Sequence, residues 1–433
     1  MSSQPLAAAR PAAAPAEARA DLKLYFVLGS LTLLGPLTLD MYLPAFPSLS
    51  RDLHAPESAI QLTITGCLIG LAAGQLIAGP LSDTLGRRRP LLIGLLAYAL
   101  TSAACALAPS AAILVGARIL EGLAGGAALV IATASVRDRF SGREAARFFS
   151  LLVLMTGLGP ILGPVLGGQM LRFTTWRGIF MVLTVVGLLL IVAVATSLVE
   201  SLPAERRRHG GAGDAIGSLG TLLKTRSFMA YAVPVGFAMA AFFAYLASSS
   251  FVIQDVYGAN PQQFGAIFAA IAVGYIAASQ VNGRLVRRYS PERLLALSLL
   301  AFAIATIALL GEAITRFAGL PGLLVPMFAA VACLGVMGPN AQALALTGIP
   351  ESAGAGAALL GMIRFGLGAA VAPLAGLIAS GSAVPMGLVM ASLGLAAGAS
   401  YLLLRQTRPQ APQAPQAPPG PPEGRFEFIS PKN

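Results

Sequence analysis

The chain predicts an all-α integral membrane protein: twelve transmembrane helices in two six-helix bundles related by a pseudo-two-fold axis. Three observations carry this. Hydrophobic residues make up 56% of the 433 residues and charged residues 11%, against roughly 25% charged in soluble domains; the mean hydropathy is +0.77. The apolar residues gather in runs of about 20, the length that crosses a bilayer as a helix, with none of the period-two alternation of a membrane β-barrel. A polar segment from Glu200 to Ser227, containing ERRRHGGAG, divides the runs six and six. Parallel six-span halves with a midplane site between them are a recurrent membrane architecture.

Residues 1–23 form an Ala/Pro-rich, weakly basic tail. The run after it exceeds a signal-peptide core and lacks a clear cleavage site, so it reads as an uncleaved first span. The spans fall at 24–46, 58–81, 90–108, 111–135, 147–170 and 177–198, then 228–250, 262–284, 293–313, 320–343, 353–380 and 384–404. The N-terminal bundle is therefore 24–198, the cytoplasmic central loop 199–227 and the C-terminal bundle 228–405. Turn and charge signals such as SDTLGRRRP, RDRFSGREAAR and VRRYSPER separate the runs, and each run is apolar on most faces. The halves echo one another: GPL at Gly79–Leu81 closes span 2, GRL at Gly283–Leu285 closes span 8, and a basic loop follows each. The tail, 406–433, carries PQAPQAPQAPPGPP and reads as extended and disordered.

The net charge of +11 does not imply nucleic acid, because the basic residues lie between apolar runs. With the N-terminus inside, 23 of the 29 Lys and Arg residues fall on the cytoplasmic side, four outside and two, Arg118 and Arg364, within spans. That bias places both termini in the cytoplasm. Cys67, Cys105 and Cys333 all lie in apolar runs and form no disulfide or metal-binding pattern; no metal, cofactor or catalytic residue is expected.

Four charges fall inside spans: Asp40, Arg118, Glu121 and Arg364. Each costs roughly 2.5–3.5 kcal/mol at mid-bilayer, so each is a functional candidate. Arg118 and Glu121, three residues apart, share a helix face, and Glu121 and Arg364 sit at similar depth. Two readings are open, a buried salt-bridge network that locks packing and a proton or cation relay. Asp40 precedes Pro44 and Pro47 in TLDMYLPAFPSL, so the prolines should end or bend span 1 at the outer surface. In span 5, Gly159, Gly163, Pro164, Gly167 and Gly168 fit either close helix packing or a built-in bend. In SDTLGRRRP the arginines set topology, and Asp83 and Gly86 suggest a charge cluster that makes and breaks between states.

Together these stretches resemble the major facilitator superfamily. GPLSDTLGRRRP resembles its loop 2–3 motif, with Thr84 where arginine is usual; LVGARILEGLAGG resembles its span-4 motif, with Glu121 where glutamine is usual. The span-5 glycines match the antiporter motif in full. Spans 1 to 12 resemble most the Bcr/CflA drug exporters of bacterial inner membranes, through LDMYLPAFPSL, GQLIAGPLSD, SSSFVIQDVYGANPQQFGAIFA, VNGRLVRRY and GPNAQALAL. The resemblance implies proton-driven export of hydrophobic compounds, with Asp40 as the proton-linked carboxylate, Arg118 as its charged counterpart, and Asp83, Arg87 and Arg88, with Gly79 and Gly86, as a conformational latch. It also implies that spans 1, 4, 7 and 10 line the cavity, where Thr38, Tyr42, Phe242, Tyr245 and Asn340 are candidate substrate contacts. Glu121 and Arg364 replace two glutamines of the family pattern with opposite charges, so they are expected to meet, with Glu121 as a second candidate proton carrier.

The expected partners are a small-molecule substrate, protons and the lipid bilayer, with no nucleic acid, and the expected state is a monomer. Export of a nucleoside, amino acid or sugar on the same architecture is the rival function. A sensor lacks a signalling domain, and an intramembrane enzyme lacks an intramembrane His, since His54 and His209 lie in loops. No P-loop is present, so the proton gradient and not ATP is the expected energy source.

Overall fold

The computed structural model describes residues 15–140, 142–203, 220–347, 353–374 and 381–405. Most of the expected N-terminal tail, residues 204–219 of the central loop, and the Pro-rich tail lie outside the described residues. Among the described residues, twelve long helices stand at the twelve predicted positions. They are α1 (Pro15–Asp40), α2 (Glu57–Leu85), α3 (Arg88–Ala106), α4 (Ala111–Arg139), α5 (Gly142–Met170) and α6 (Trp176–Ser197). The second half follows with α7 (Arg226–Phe251), α8 (Pro261–Leu285), α9 (Pro291–Thr315), α10 (Gly319–Thr347), α11 (Ala353–Val371) and α12 (Val384–Arg405). Ten described helical segments are long and apolar enough to cross a membrane.

The pairing of helices shows the internal repeat. In the first half α1 packs on α4 and α5, α2 on α4, and α3 on α4 and α6. Adding six to each number gives the second half: α7 packs on α10 and α11, α8 on α10, and α9 on α10 and α12. The halves meet through α5 on α8 and α2 on α11, two contacts that a two-fold axis exchanges.

Three boundaries differ from the sequence reading, the first being that helix α1 begins at Pro15, within the expected tail of residues 1–23. The first run breaks at its prolines, as expected, but carries on past them to Asp52. Helix α1 stops at Asp40, a 3-10 turn spans Leu43–Ala45, and a short helix covers Phe46–Asp52. Pro44 and Pro47 sit in the first turns of these two pieces, where a missing N–H leaves no bond unmade, and both are buried. Helix α11 ends at Val371, short of the expected 380, and residues 375–380 lie outside the described residues.

We term the side on which α1 ends and α2 begins the outer side. The cross-half hydrogen bonds seen among the described residues lie there. Ser250 Oγ donates to the Leu43 carbonyl (2.6 Å) and Gln254 Nε2 to that of Pro44 (3.0 Å). Thr65 Oγ1 donates to the Ala369 carbonyl (3.0 Å) and Gln262 Nε2 to that of Gly168 (2.6 Å). The Leu43 carbonyl accepts from the Phe46 N–H in the 3-10 turn and keeps its second lone pair for Ser250, because residue 47, its partner in a continuous α-helix, is a proline with no N–H to give. The break in the first run thus supplies acceptors to the opposite half on the outer side. Replacing both Ser250 and Gln254 with alanine removes two such bonds, about 0.5–1.5 kcal/mol each. Reporter cysteines on the outer side are expected to become labelled roughly 5- to 150-fold faster, measured as the maleimide labelling rate.

Candidate functional site

The buried charge cluster is built where α4 passes α1 and α3. Arg118 and Glu121, both 0% exposed, form an ion pair at 2.6 Å. Ser102 Oγ donates to Glu121 Oε1 (2.7 Å), and the Cys105 thiol approaches Oε2 (3.6 Å). Arg118 Nη2 donates to the Thr38 carbonyl (3.0 Å), and the guanidinium lies 4.3 Å from the centre of the Tyr42 ring and 5.6 Å from that of Phe180. The carbonyl of Thr38 is within reach because α1 ends two residues later and its last carbonyls lack helical partners. Pairing, hydrogen bonding and stacking offset part of the desolvation of the two charges, while Arg118 Nε is left without a partner.

Two expectations about these charges are corrected. Glu121 does not meet Arg364; its oxygens are taken by α3 and α4, while Nε and Nη2 of Arg364 are buried without a hydrogen-bond partner. Depth in the membrane was the same, but the partner one turn away on its own helix is nearer than any on α11. Arg118 is likewise the counter-ion of Glu121 and not of Asp40.

Asp40 is 5% exposed and, among the described residues, its carboxyl forms no ion pair or hydrogen bond. It is the last residue of α1, where the helix dipole offers a carboxylate no help. The span-5 glycines bring α5 against this point. A Cβ on Gly163 would lie 3.0 Å from the Asp40 Cβ, and one on Gly167 would overlap the Met41 carbonyl. Gly159 is pressed in the same way on Pro36, and Gly168 on Pro261 of α8. The motif therefore lets α5 touch both the end of α1 and the opposite half, the close approach that small residues permit.

The candidate substrate contacts separate into two sets. Thr38 is buried, with its hydroxyl bonded to the Leu34 carbonyl (2.7 Å) and the Tyr98 hydroxyl (2.6 Å). Tyr42, 0% exposed, bonds Thr63 (3.0 Å) and supports Arg118. Asn340 spends both amide hydrogens, on Asn282 Oδ1 of α8 (2.7 Å) and the Val336 carbonyl (2.8 Å). These three side chains are buried and hydrogen-bonded in the interior. Phe242 is partly exposed and lies 5.7 Å from Phe243 and 5.9 Å from Tyr245; Tyr245 itself is buried and stacked 5.7 Å from Phe268. Phe365 of α11 extends this aromatic wall, 6.0 Å from Phe243.

On the inner side, Arg87 bridges Asp83 (2.6 Å) and Asp138 at the end of α4 (2.8 Å) and donates to Ser82 Oγ (2.6 Å). Gly86 makes the turn with φ +88°, a conformation that side chains resist. Glu200, after α6, accepts from the backbone N–H groups of Arg87 (2.8 Å) and Arg88 (3.2 Å), an anion on the N-terminus of α3. Arg88 donates to the Ala195 carbonyl (2.7 Å), Arg139 bonds that of Val199, and Gly79 rests on Val130 of α4. The predicted latch residues thus converge on α4 and the end of α6. Asp138 and Glu200 complete the cluster, and sequence reasoning missed both. Their only local signal was an acid at the end of a span facing a basic loop.

Comparison with known proteins agrees with this architecture. The family model described as Major Facilitator Superfamily matches residues 28–373 and 236–430. The chain is 43% identical over 372 residues to the "Uncharacterized MFS-type transporter YdgK" of Bacillus subtilis (strain 168), covering 85% of this chain and 92% of that one. It is 30% identical over 377 residues to the "Bicyclomycin resistance protein homolog" of Haemophilus influenzae, covering 87% and 94%. Among solved structures, the D-xylose-proton symporter superposes with a TM-score of 0.68 at 17% identity, over 90% of this chain and 98% of that one; at that identity the likeness is one of fold.

Proposed function

The chain belongs to the Major Facilitator Superfamily, in its Bcr/CflA-type group, and we propose that this transporter exports small hydrophobic compounds, drugs among them, across the bacterial inner membrane in exchange for protons. The observation that carries the reading is the contrast between its two buried acids. Glu121 is held by Arg118, Ser102 and Cys105; among the described residues nothing holds Asp40, which stands at the α1–α5 contact beside the outer closure. Asp40 exchanges a proton without breaking an ion pair, and Glu121 does not.

In the proposed cycle a compound enters from the cytoplasm and rests on the aromatic wall around Phe242. The outer clasp at Leu43 and Pro44 opens, Asp40 takes a proton from outside as the compound leaves, and reclosure returns the proton to the cytoplasm. Each side of the cycle is favoured by the ligand it binds better. The drug-resistance relative supports the substrate class. The excess of Lys and Arg in the loops that share a side with the termini supports a cytoplasmic location for both ends.

The test is transport by purified protein in proteoliposomes. With an imposed pH gradient, adding a transported compound is expected to release protons in proportion to the compound moved, and a protonophore is expected to stop net export. Export that continues at full rate with the gradient collapsed, or compound movement without proton movement, overturns the reading.

A further inference from the structure

Arg364 is left with no function by the charge cluster and none by the proposed proton step. Its Nε and Nη2 are buried without a partner, and among the described residues no carboxylate forms an ion pair with it. A guanidinium does not give up its charge by losing a proton, and an unpaired buried charge is costly. The one titratable group within its electrostatic reach among the described residues is the Tyr275 hydroxyl of α8.

The helical faces show where this pair points. Tyr275 is 40% exposed, yet lies on the α8 face of the buried Phe264, Phe268, Ile271 and Asn282. The opposite face carries the exposed row 266, 270, 273, 277 and 284, which is the lipid side. The exposure of Tyr275 is therefore to the space between the halves. Arg364 lies on the α11 face of Gly368, which packs on Phe243, and away from the exposed Gly366 and Ala370. Arg364 adjoins Phe365 on α11, and Tyr275 shares the α8 face of Phe268, which stacks on Tyr245, so a free cation and a hydroxyl flank the aromatic residues of these two helices.

We propose that Arg364 and Tyr275 form an anion-binding subsite in the central cavity, so that the compounds this transporter takes include amphiphilic anions, with an apolar body on the aromatic wall and a carboxylate or comparable acidic group on Arg364. The inference rests on the reading of that cavity as the transport site. A guanidinium presents paired N–H donors that match a carboxylate, and Tyr275 adds a third donor.

The test is equilibrium binding to the full chain in lipid nanodiscs, by calorimetry, with naproxen, an aromatic carboxylate, and its primary amide as an uncharged twin. The wild type is expected to bind the carboxylate about 10- to 100-fold more tightly than the amide, the range of a charge-assisted pair. Arg364→Gln is expected to erase that preference, bringing carboxylate affinity down to that of the amide, Arg364→Lys to keep part of it, and Tyr275→Phe, which leaves the cation in place, to weaken carboxylate binding several-fold. Equal affinities or no carboxylate binding in the wild type, or a preference that survives Arg364→Gln, overturns the proposal. No gradient is present in this measurement. Loss of the anion preference therefore leaves proton-coupled export standing, and failure of export in proteoliposomes leaves the subsite standing.

Discussion

An Asp40→Asn variant is expected to fold, reach the membrane at wild-type level and still exchange labelled for unlabelled compound at equal concentration, but to lose export against a gradient. Asparagine has the shape of aspartate, so the close packing of Gly163 against residue 40 is kept. The carboxyl it replaces forms no ion pair, so no cation is left alone and the loss of stability is expected to stay at about 1 kcal/mol. What disappears is the ability to carry a proton between the two sides. Uphill accumulation in energised vesicles is expected to drop at least tenfold, to about the leak rate, while passive exchange stays within about twofold of wild type; for orientation, a tenfold drop corresponds to about 1.4 kcal/mol. An Asp40→Glu variant keeps the charge but lengthens the side chain by a methylene beside the close α1–α5 contact. It is expected to couple protons yet turn over slowly, because the α1–α5 packing must shift. Uphill export by Asp40→Asn at full rate would remove Asp40 from the coupling step and return Glu121 to candidacy.

The parts of this site that were legible in the sequence are those written in local order. Length and hydropathy located the twelve helices, because a bilayer demands about 20 apolar residues wherever a chain crosses it. The span-5 glycines were legible as a close contact, and Asp40 as an anomaly. What was not legible is azimuth and distance across the bundle. Glu121 and Arg364 share a depth, which made them look like a pair, but helix faces decide contacts and the residue at i−3 was already in place. Asn340 read as a polar group for a substrate because nothing near it in sequence shows Asn282, 58 positions earlier, taking one of its donors. The prolines after Asp40 were legible as a break. That the break would hand its carbonyls to Ser250 and Gln254 required knowing that α7 ends beside α1.

Removing one member of the Arg118–Glu121 pair is expected to give the largest loss of stability of any single change in the interior. Glu121→Ala leaves a guanidinium, 0% exposed, without its 2.6 Å partner, and strands the Ser102 hydroxyl as well. Breaking a buried pair in this way costs about 3–5 kcal/mol, enough to depress the melting temperature of the purified protein well below wild type and to lower its amount in membranes. Glu121→Gln is expected to fall between the two, because the amide oxygen still accepts from Arg118 and the charge alone goes unanswered. The decisive variant is the double one, Arg118→Met with Glu121→Met. If the pair mainly fastens α1, α3 and α4 together, the double variant is expected to recover most of the stability that Glu121→Ala loses, since no charge is left uncompensated, and to export uphill with Asp40 intact. If Glu121 carries protons in its own right, the double variant recovers stability but not export. Thermal unfolding and uphill transport measured on the same preparations separate the two outcomes. The full hydrogen bonding of Glu121, against none at Asp40, leads us to expect the first.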